Sequence, residues 1–154
     1  VGIVEGILKN KDLVITPVCE DELVLVCNMN HPLAKETMVT LDMLQGQDYA
    51  SRESGSAERN QYEKLFEDSG LQLNRVFCST NTEAIKNAVI HGRGIAVFSR
   101  RMVKQEVERG EMVVIPVRNV AVKRNIDFVM HKNKYISNEI QMMQKILTEL
   151  KFEN

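Results

Sequence analysis

Along the chain, short apolar runs alternate with stretches in which apolar residues recur every three or four positions. The runs are GIV at 2–4, LVITPV at 13–18, ELVLVCN at 22–28, DYAS at 48–51, RVFCS at 75–79, GIAVFS at 94–99, EMVVIPV at 111–117 and IDFVMH at 126–131. They are rich in β-branched residues and nearly continuous, which predicts strands covered on both faces. Between them, AERNQYEKLFEDSG places Tyr62, Leu65 and Phe66 on one helix face and stops at Gly70. TEAIKNAVIHG sets Ala84, Ile85, Ala88 and Val89 at helical spacing before Gly92, and RMVKQEVERG pairs Val103 with Val107 before Gly110. The last stretch, SNEIQMMQKILTEL, aligns Ile140, Met143, Ile146, Leu147 and Leu150. Helices that stop at glycine and lead into a strand give the β-α-β rhythm of an α/β protein with mostly parallel sheets and flanking helices.

Two places break that rhythm. At VCEDELVLV one strand is expected to run into another through Glu20, Asp21 and Glu22, with no helix between. At VRNVAVKRNIDFV a second helix-free passage is expected through a polar, basic stretch. Two such passages bracketing residues 23–118 predict a domain entered and left by extended segments, an arrangement that commonly serves as a hinge between two lobes. Two ordinary turns between strands are the alternative. The opening Val1-Gly2-Ile3-Val4 reads as a buried strand with no preceding Met, so a fragment of a longer protein is expected.

Length and charge narrow the function classes. The 154 residues are 44% hydrophobic and 27% charged, with a net charge of −1, which suits one ordinary folded domain. No long basic run is present, and phosphate-backbone binding needs clustered Lys and Arg, so a main nucleic-acid surface is not expected here. Arg100, Arg101 and Lys104 form the only local basic cluster and read as a solvated helix face. The three cysteines, Cys19, Cys27 and Cys78, match no metal spacing and suit packed thiols in a reduced, cytoplasmic protein. The three histidines are scattered, so no metal and no cofactor is expected. No run of apolar residues reaches the ~20 needed for a membrane helix.

Candidate chemistry collects where strands run into helices. The stretch RESGSAER follows DYAS and leads into the first helix. A first helical turn has unpaired N–H groups and the positive end of the macrodipole. Gly55 permits close backbone approach, and Ser54 and Ser56 add hydroxyl donors. This pattern suits an anion or carboxylate cradle, or equally a tight turn and N-cap with no ligand. A second junction, STNTEAIK, has Thr80 and Glu83 at capping-box spacing, with Asn81 and Thr82 as further polar groups. Ser99 closes GIAVFS at a third junction, where it reads first as an N-cap. No Gly-x-Ser-x-Gly elbow, Walker loop or Cys–His neighbourhood is present, so no enzyme is expected.

Several stretches in order carry a resemblance: GIVEG, EDELVLVCNMNHPLA, RESGSAER, STNTEAIKNAVIHGRGIAVFSRRMV, GEMVVIPV and IDFVMHKNKYISNEIQMMQKIL. Together they resemble the C-terminal effector-binding domain of LysR-type transcriptional regulators over nearly all of the chain. The resemblance implies the two-lobed α/β fold of type 2 periplasmic binding proteins, with the first lobe incomplete. Residues 1–22 and 119–154 would be the remainder of that lobe, and 23–118 the second lobe. It implies an effector-sensing domain that binds a small polar or anionic metabolite between two lobes. The expected contacts are Glu5, Gly6, Ser51, Arg52, Glu53, Ser54, Gly55, Ser56, Asn81, Thr82 and Ser99.

DNA would be bound only through an N-terminal helix-turn-helix outside this chain, and a homodimer or tetramer is implied. The first helix, with Tyr62 and Phe66, is the candidate contact between copies. The family often has Gly-Ser-Gly-Thr-Arg where this chain has Gly55-Ser56-Ala57-Glu58-Arg59, and Glu58 brings a negative charge to the cradle. A transporter's substrate-binding protein of the same fold is the alternative, separable by whether a helix-turn-helix or a signal peptide is encoded upstream.

Overall fold

The computed structural model describes residues 1–6 and 8–150, without the side chains of 57–59. It resolves into two compact units, Val1–Asp21 with Lys123–Asn154, and Glu22–Val122.

In the first unit, strand β1 (Gly2–Glu5) pairs antiparallel with β7 (Val122–His131), from Gly2 opposite Val129 to Glu5 opposite Ile126. The strand next to β7 is β2 (Leu13–Asn28), whose first part belongs to this unit. Helix α4 (Asn138–Glu149) contains no buried residue. Gln144 Nε2 donates to Thr16 Oγ1 at 3.1 Å, tying the helix to β2. Ile140, Gln144 and Leu147 are half-buried, whereas Met143, Ile146 and Leu150 are exposed. The five-residue apolar stripe expected of α4 is therefore only partly covered.

The second unit is built on a βαβαβ succession: β3 (Asp48–Arg52), α1 (Ala57–Asp68), β4 (Asn74–Ser79), α2 (Thr82–Ile90) and β5 (Ala96–Ser99). A 3₁₀ turn leads from β5 into α3 (Lys104–Glu108), and β6 (Met112–Val114) follows. Strands β3 and β4 are parallel, and a parallel bridge from Tyr49 to Ile95 continues the pairing. The second part of β2 runs antiparallel to β5 and to β6.

Side-chain alternation explains why these strands are apolar throughout. Leu23, Leu25, Cys27, Tyr49, Ile95 and Val97 meet Tyr62 and Phe66 of α1 in one buried cluster. Val24, Val26, Ala50, Ala96 and Phe98 meet Ile85, Val89 and Val103 in a second. Successive residues of β2 and β5 thus serve opposite cores, so no polar face interrupts the run.

Four expectations are corrected. The α/β class with flanking helices holds, but strand directions are mixed rather than mostly parallel, because β2 and β7 make antiparallel pairings. The two strands expected around Glu20–Glu22 are one strand of 16 residues. The strand expected at 126 already begins at Val122. Tyr62 and Phe66, expected at a contact between copies, are core residues, 3% and 4% exposed. Their rings pack edge to face at 5.4 Å, and Tyr49 meets Phe66 at 6.3 Å.

Candidate functional site at the end of β3

The end of β3 sends successive side chains to opposite faces. Ala50 joins the core on the α2 side, so Arg52 shares that face, while Ser51 shares the Tyr49 face that packs on α1. Arg52 accordingly reaches the first residue of α2: its Nη1 donates to Thr82 Oγ1 at 3.0 Å. The other edge of the guanidinium grips Glu53, with Nε to Oε2 at 2.9 Å and Nη2 to Oε1 at 3.1 Å. This is the two-pronged fork geometry that arginine offers to a carboxylate. Ser51 is 1% exposed, and its Oγ has no hydrogen-bond partner among the described residues.

Beyond Glu53 the chain turns sharply. Ser56 N–H donates to the Glu53 carbonyl at 3.4 Å, with Ser54 and Gly55 at the exposed corners and Gly55 at φ +91°. A Cβ at Gly55 would meet nothing within 4 Å, so the corner faces open space. The Ser56 carbonyl then accepts from Asn60 N–H at 3.0 Å, opening α1. The tight turn expected of RESGSAER is present, and it follows directly on the Arg52–Glu53 pair. Glu58 and Arg59, whose side chains were expected to bear on this loop, lie outside the described side chains.

At the start of α2 a single side-chain cap stands in place of the expected capping box. Asn81, not Thr80, is the N-cap, and its Oδ1 accepts from Glu83 N–H at 2.9 Å and Ala84 N–H at 3.3 Å. That oxygen is therefore engaged in holding the helix end. Ser99 is 4% exposed and precedes the 3₁₀ turn without a side-chain capping bond. It pairs with Leu23 across the strands, and its neighbour Arg100 binds Glu22 at 2.7 Å.

Glu5 and Gly6 lie in the first unit. Gly6 N–H donates to the Asn125 carbonyl at 3.0 Å. Glu5 Oε2 sits 2.8 Å from Arg124 Nη1, and Arg124 Nε donates to Asp21 Oδ2 at 2.8 Å. Sequence reasoning missed Arg124. Its signal is a lone arginine entering an apolar strand, in KRNIDFVM. Within the second unit, then, the structure joins Arg52, Glu53 and Thr82 directly, with the Ser51 side chain on the opposite face of β3.

The chain is similar to known proteins in sequence and in fold. The LysR substrate binding domain family matches residues 1–150. HTH-type transcriptional regulator CysL of Bacillus subtilis is 28% identical over 129 residues, covering 84% of this chain and 43% of that protein. The chain thus spans less than half the length of this curated relative. The Synechocystis CcmR regulatory domain, solved in complex with 2-PG, superposes with a TM-score of 0.87 at 26% identity, over 95% of this chain and 70% of that one. The effector-binding domain of QuiR, solved with shikimate, shares the fold at a TM-score of 0.77 and 22% identity, over 95% and 69% of the two chains. These neighbours are LysR regulatory domains with the periplasmic-binding-protein-like fold. With the match running from Val1 to Leu150, the chain belongs to the LysR substrate binding domain family.

Proposed function

We propose that this chain is the effector-sensing domain of a LysR-type DNA-binding transcriptional regulator, and that it binds a small polar or anionic metabolite at the end of β3. The observation that carries this reading is the Arg52 fork, tied to the first residue of α2, Thr82. Ser51, Arg52, Glu53, Ser54, Gly55, Ser56, Asn81, Thr82 and Ser99 are the proposed contacts of the second unit, and Glu5 and Gly6 those of the first. Residues 23–118 are proposed as the second lobe, and 1–22 with 119–154 as the remainder of the first. Asn81 contributes through the helix end that it caps, since its Oδ1 already accepts two N–H groups.

A sensor needs a ligand that binds one arrangement of the protein better than another, or nothing shifts. In this reading the shift is passed to a helix-turn-helix outside this chain, within a cytoplasmic homodimer or tetramer, and the domain catalyses nothing. The regulators among its relatives favour this over a transporter's binding protein. The test is calorimetric titration of the full-length regulator with a metabolite panel that includes 2-PG and shikimate, followed by operator-DNA binding with and without the hit. A ligand that binds, is weakened by Arg52→Gln and changes DNA affinity supports the assignment. A panel that leaves DNA affinity untouched overturns it.

A further inference from the structure

We propose that one end of the first unit is an auxiliary contact for the DNA backbone: Lys9, Lys11, Lys132 and Lys134 meet phosphates of the duplex flanking the operator when the full-length regulator is bound. This rests on the sensor reading above, which supplies the helix-turn-helix that brings the DNA.

The four lysines come from two turns that the fold joins. Before β2, Leu13 N–H donates to the Asn10 carbonyl at 3.2 Å, and Asp12 N–H to Asn10 Oδ1 at 2.9 Å. At the end of β7, Lys134 N–H donates to the His131 carbonyl at 2.8 Å, and Asn133 N–H to His131 Nδ1 at 3.2 Å. Lys132 stitches one turn to the other. Its N–H donates to the Asp12 carbonyl at 2.8 Å, and its Nζ pairs with Asp12 Oδ1 at 2.5 Å. The patch therefore exists only because β2 and β7 are neighbours, and it cannot be read from either segment alone.

All four lysines are exposed, and Asp12 is the one carboxylate in residues 9–12 and 131–134. Asp12 is taken by Lys132. Lys9, Lys11 and Lys134 carry no ion pair among the described residues. Like charges held together in this way repel one another, and a polyanion relieves that repulsion. Tyr135, 84% exposed, follows Lys134 and adds a hydroxyl of the kind that donates to phosphate. No arginine is among the four, so the patch has compact charges but no fork to grip a carboxylate in two places. That favours the dense phosphates of a duplex over the carboxylates of an acidic protein. Four lysines in a chain of net charge −1 are too few to hold DNA unaided, so the contact adds to a grip made elsewhere.

The patch also lies away from the proposed effector contacts of this unit. Glu5 is opposite Ile126 and Gly2 opposite Val129, so His131 stands at the other end of β7, about 17 Å along the strand from Ile126.

The test uses the full-length regulator and its K9Q/K11Q/K134Q variant, each checked for a native circular-dichroism spectrum and melt. A K35Q/K64Q/K104Q variant removes the same charge from three exposed lysines of the second unit. Binding is measured across a salt series to operator duplex trimmed to the helix-turn-helix footprint and to the same duplex extended on both sides. On extended DNA the patch variant is expected to bind roughly tenfold more weakly, with a salt slope shallower by about one for each lysine that meets a phosphate. On trimmed DNA it is expected to match the parent, and the second-unit variant is expected to match the parent on both. An unchanged slope on extended DNA, an equal loss on trimmed DNA, or an equal loss in the second-unit variant overturns the proposal. So does an unchanged slope with weakened binding to polyglutamate, which would assign the patch to an acidic protein. Each of these results leaves the sensor reading standing, whereas a full-length protein that binds neither duplex overturns both.

Discussion

Arg124 on β7 points its Nε at Asp21 Oδ2 on β2, 2.8 Å away, with the two side chains 2% and 1% exposed. Asp21 is the last residue before the chain enters the second unit, and Arg124 is the second after it returns. Neighbouring strands thus carry a buried ion pair beside both passages of the chain. Arg124 also meets Glu5, whose side chain is 45% exposed. One buried cation therefore serves two carboxylates of unequal burial.

Removing that cation takes the Arg124 charge away from a carboxylate whose side chain is only 1% exposed. Arg124→Met is expected to cost about 3–5 kcal/mol in urea unfolding. Asp21→Leu combined with Arg124→Met is expected to recover much of it, since apolar pairs of similar volume tolerate such burial. Glu5→Gln, which removes the exposed partner, should cost no more than about 1 kcal/mol. An Arg124→Met loss as small as that of Glu5→Gln would contradict the assignment.

A second ion pair makes a pH prediction. Lys86 Nζ lies 3.0 Å from Glu106 Oε1, and both side chains are close to fully buried. Burial pushes the Glu106 carboxyl up, but the Lys86 hydrogen bond, a backbone hydrogen bond and the Lys86 and Arg109 charges outweigh it, so its pKa falls below 4.5. Burial likewise pulls Lys86 down, and its hydrogen bonds and charges with Glu106 and Glu83 outweigh that, leaving it above 10.5. A depressed carboxyl stabilises the fold above its unfolded pKa and loses that contribution as pH falls through the folded value. A raised amine stabilises below its unfolded pKa and loses it as pH rises through the folded value. The pair contributes fully between about pH 4.5 and 10.5. Lys86→Met should therefore lie furthest below the parent at neutral pH in a series of urea melts, with the gap narrowing into acid. A constant gap from pH 3 to 7 would count against the pair.

The thiols should separate by reactivity. Cys27 is buried, and burial alone pushes its pKa up to about 11, whereas Cys78 is exposed on β4. The thiolate is the reacting form, so at pH 8 only about one Cys27 in a thousand is ionised. Iodoacetamide at pH 8 is expected to modify Cys78 in the folded chain and Cys27 only on unfolding, as read by peptide mass spectrometry. Early labelling of Cys27 would show that its environment opens in the native state.

What the sequence showed and what it hid follow from the range of the interactions. Runs such as ELVLVCN and GIAVFS were legible because each apolar residue is buried on the α1 side or the α2 side of the sheet. The join between the two halves of β2 was not. Glu20, Asp21 and Glu22 look like a turn in sequence, and the carboxylate of Asp21 lies in a strand where Arg124, 103 positions away, neutralises it. The α1 face was legible as apolar, but helical periodicity does not say whether a core or a second chain covers it, and here Tyr62 and Phe66 meet the core. At the site, the Ser54–Gly55 turn and the Arg52–Glu53 adjacency were visible as local chemistry. The bond from Arg52 to Thr82 spans 30 positions and needed the parallel pairing of β3 with β4 to bring α2 alongside.

That pairing also depends on one glycine. Ile95 N–H donates to the Asp48 carbonyl at 2.8 Å, and Ala50 N–H to the Ile95 carbonyl at 2.9 Å, so β3 is stitched to the residue that follows Gly94. Gly94 adopts φ +113°, and a Cβ there would sit 2.2 Å from the Asp48 carbonyl oxygen and 2.5 Å from its carbon. The obstacle is backbone and cannot rotate away. Gly94→Ala should lose at least ~3 kcal/mol, the backbone strain and the displaced strand together. Gly92→Ala is the control, because Gly92 also has positive φ, +73°, but a Cβ there meets nothing within 4 Å, leaving only about 1 kcal/mol of strain. Thermal melts of the two variants separate steric exclusion from strain. A Gly94→Ala loss no larger than that of Gly92→Ala would mean that β3 is not held against residue 95 this closely, and the Arg52 fork at its far end would lose its fixed base.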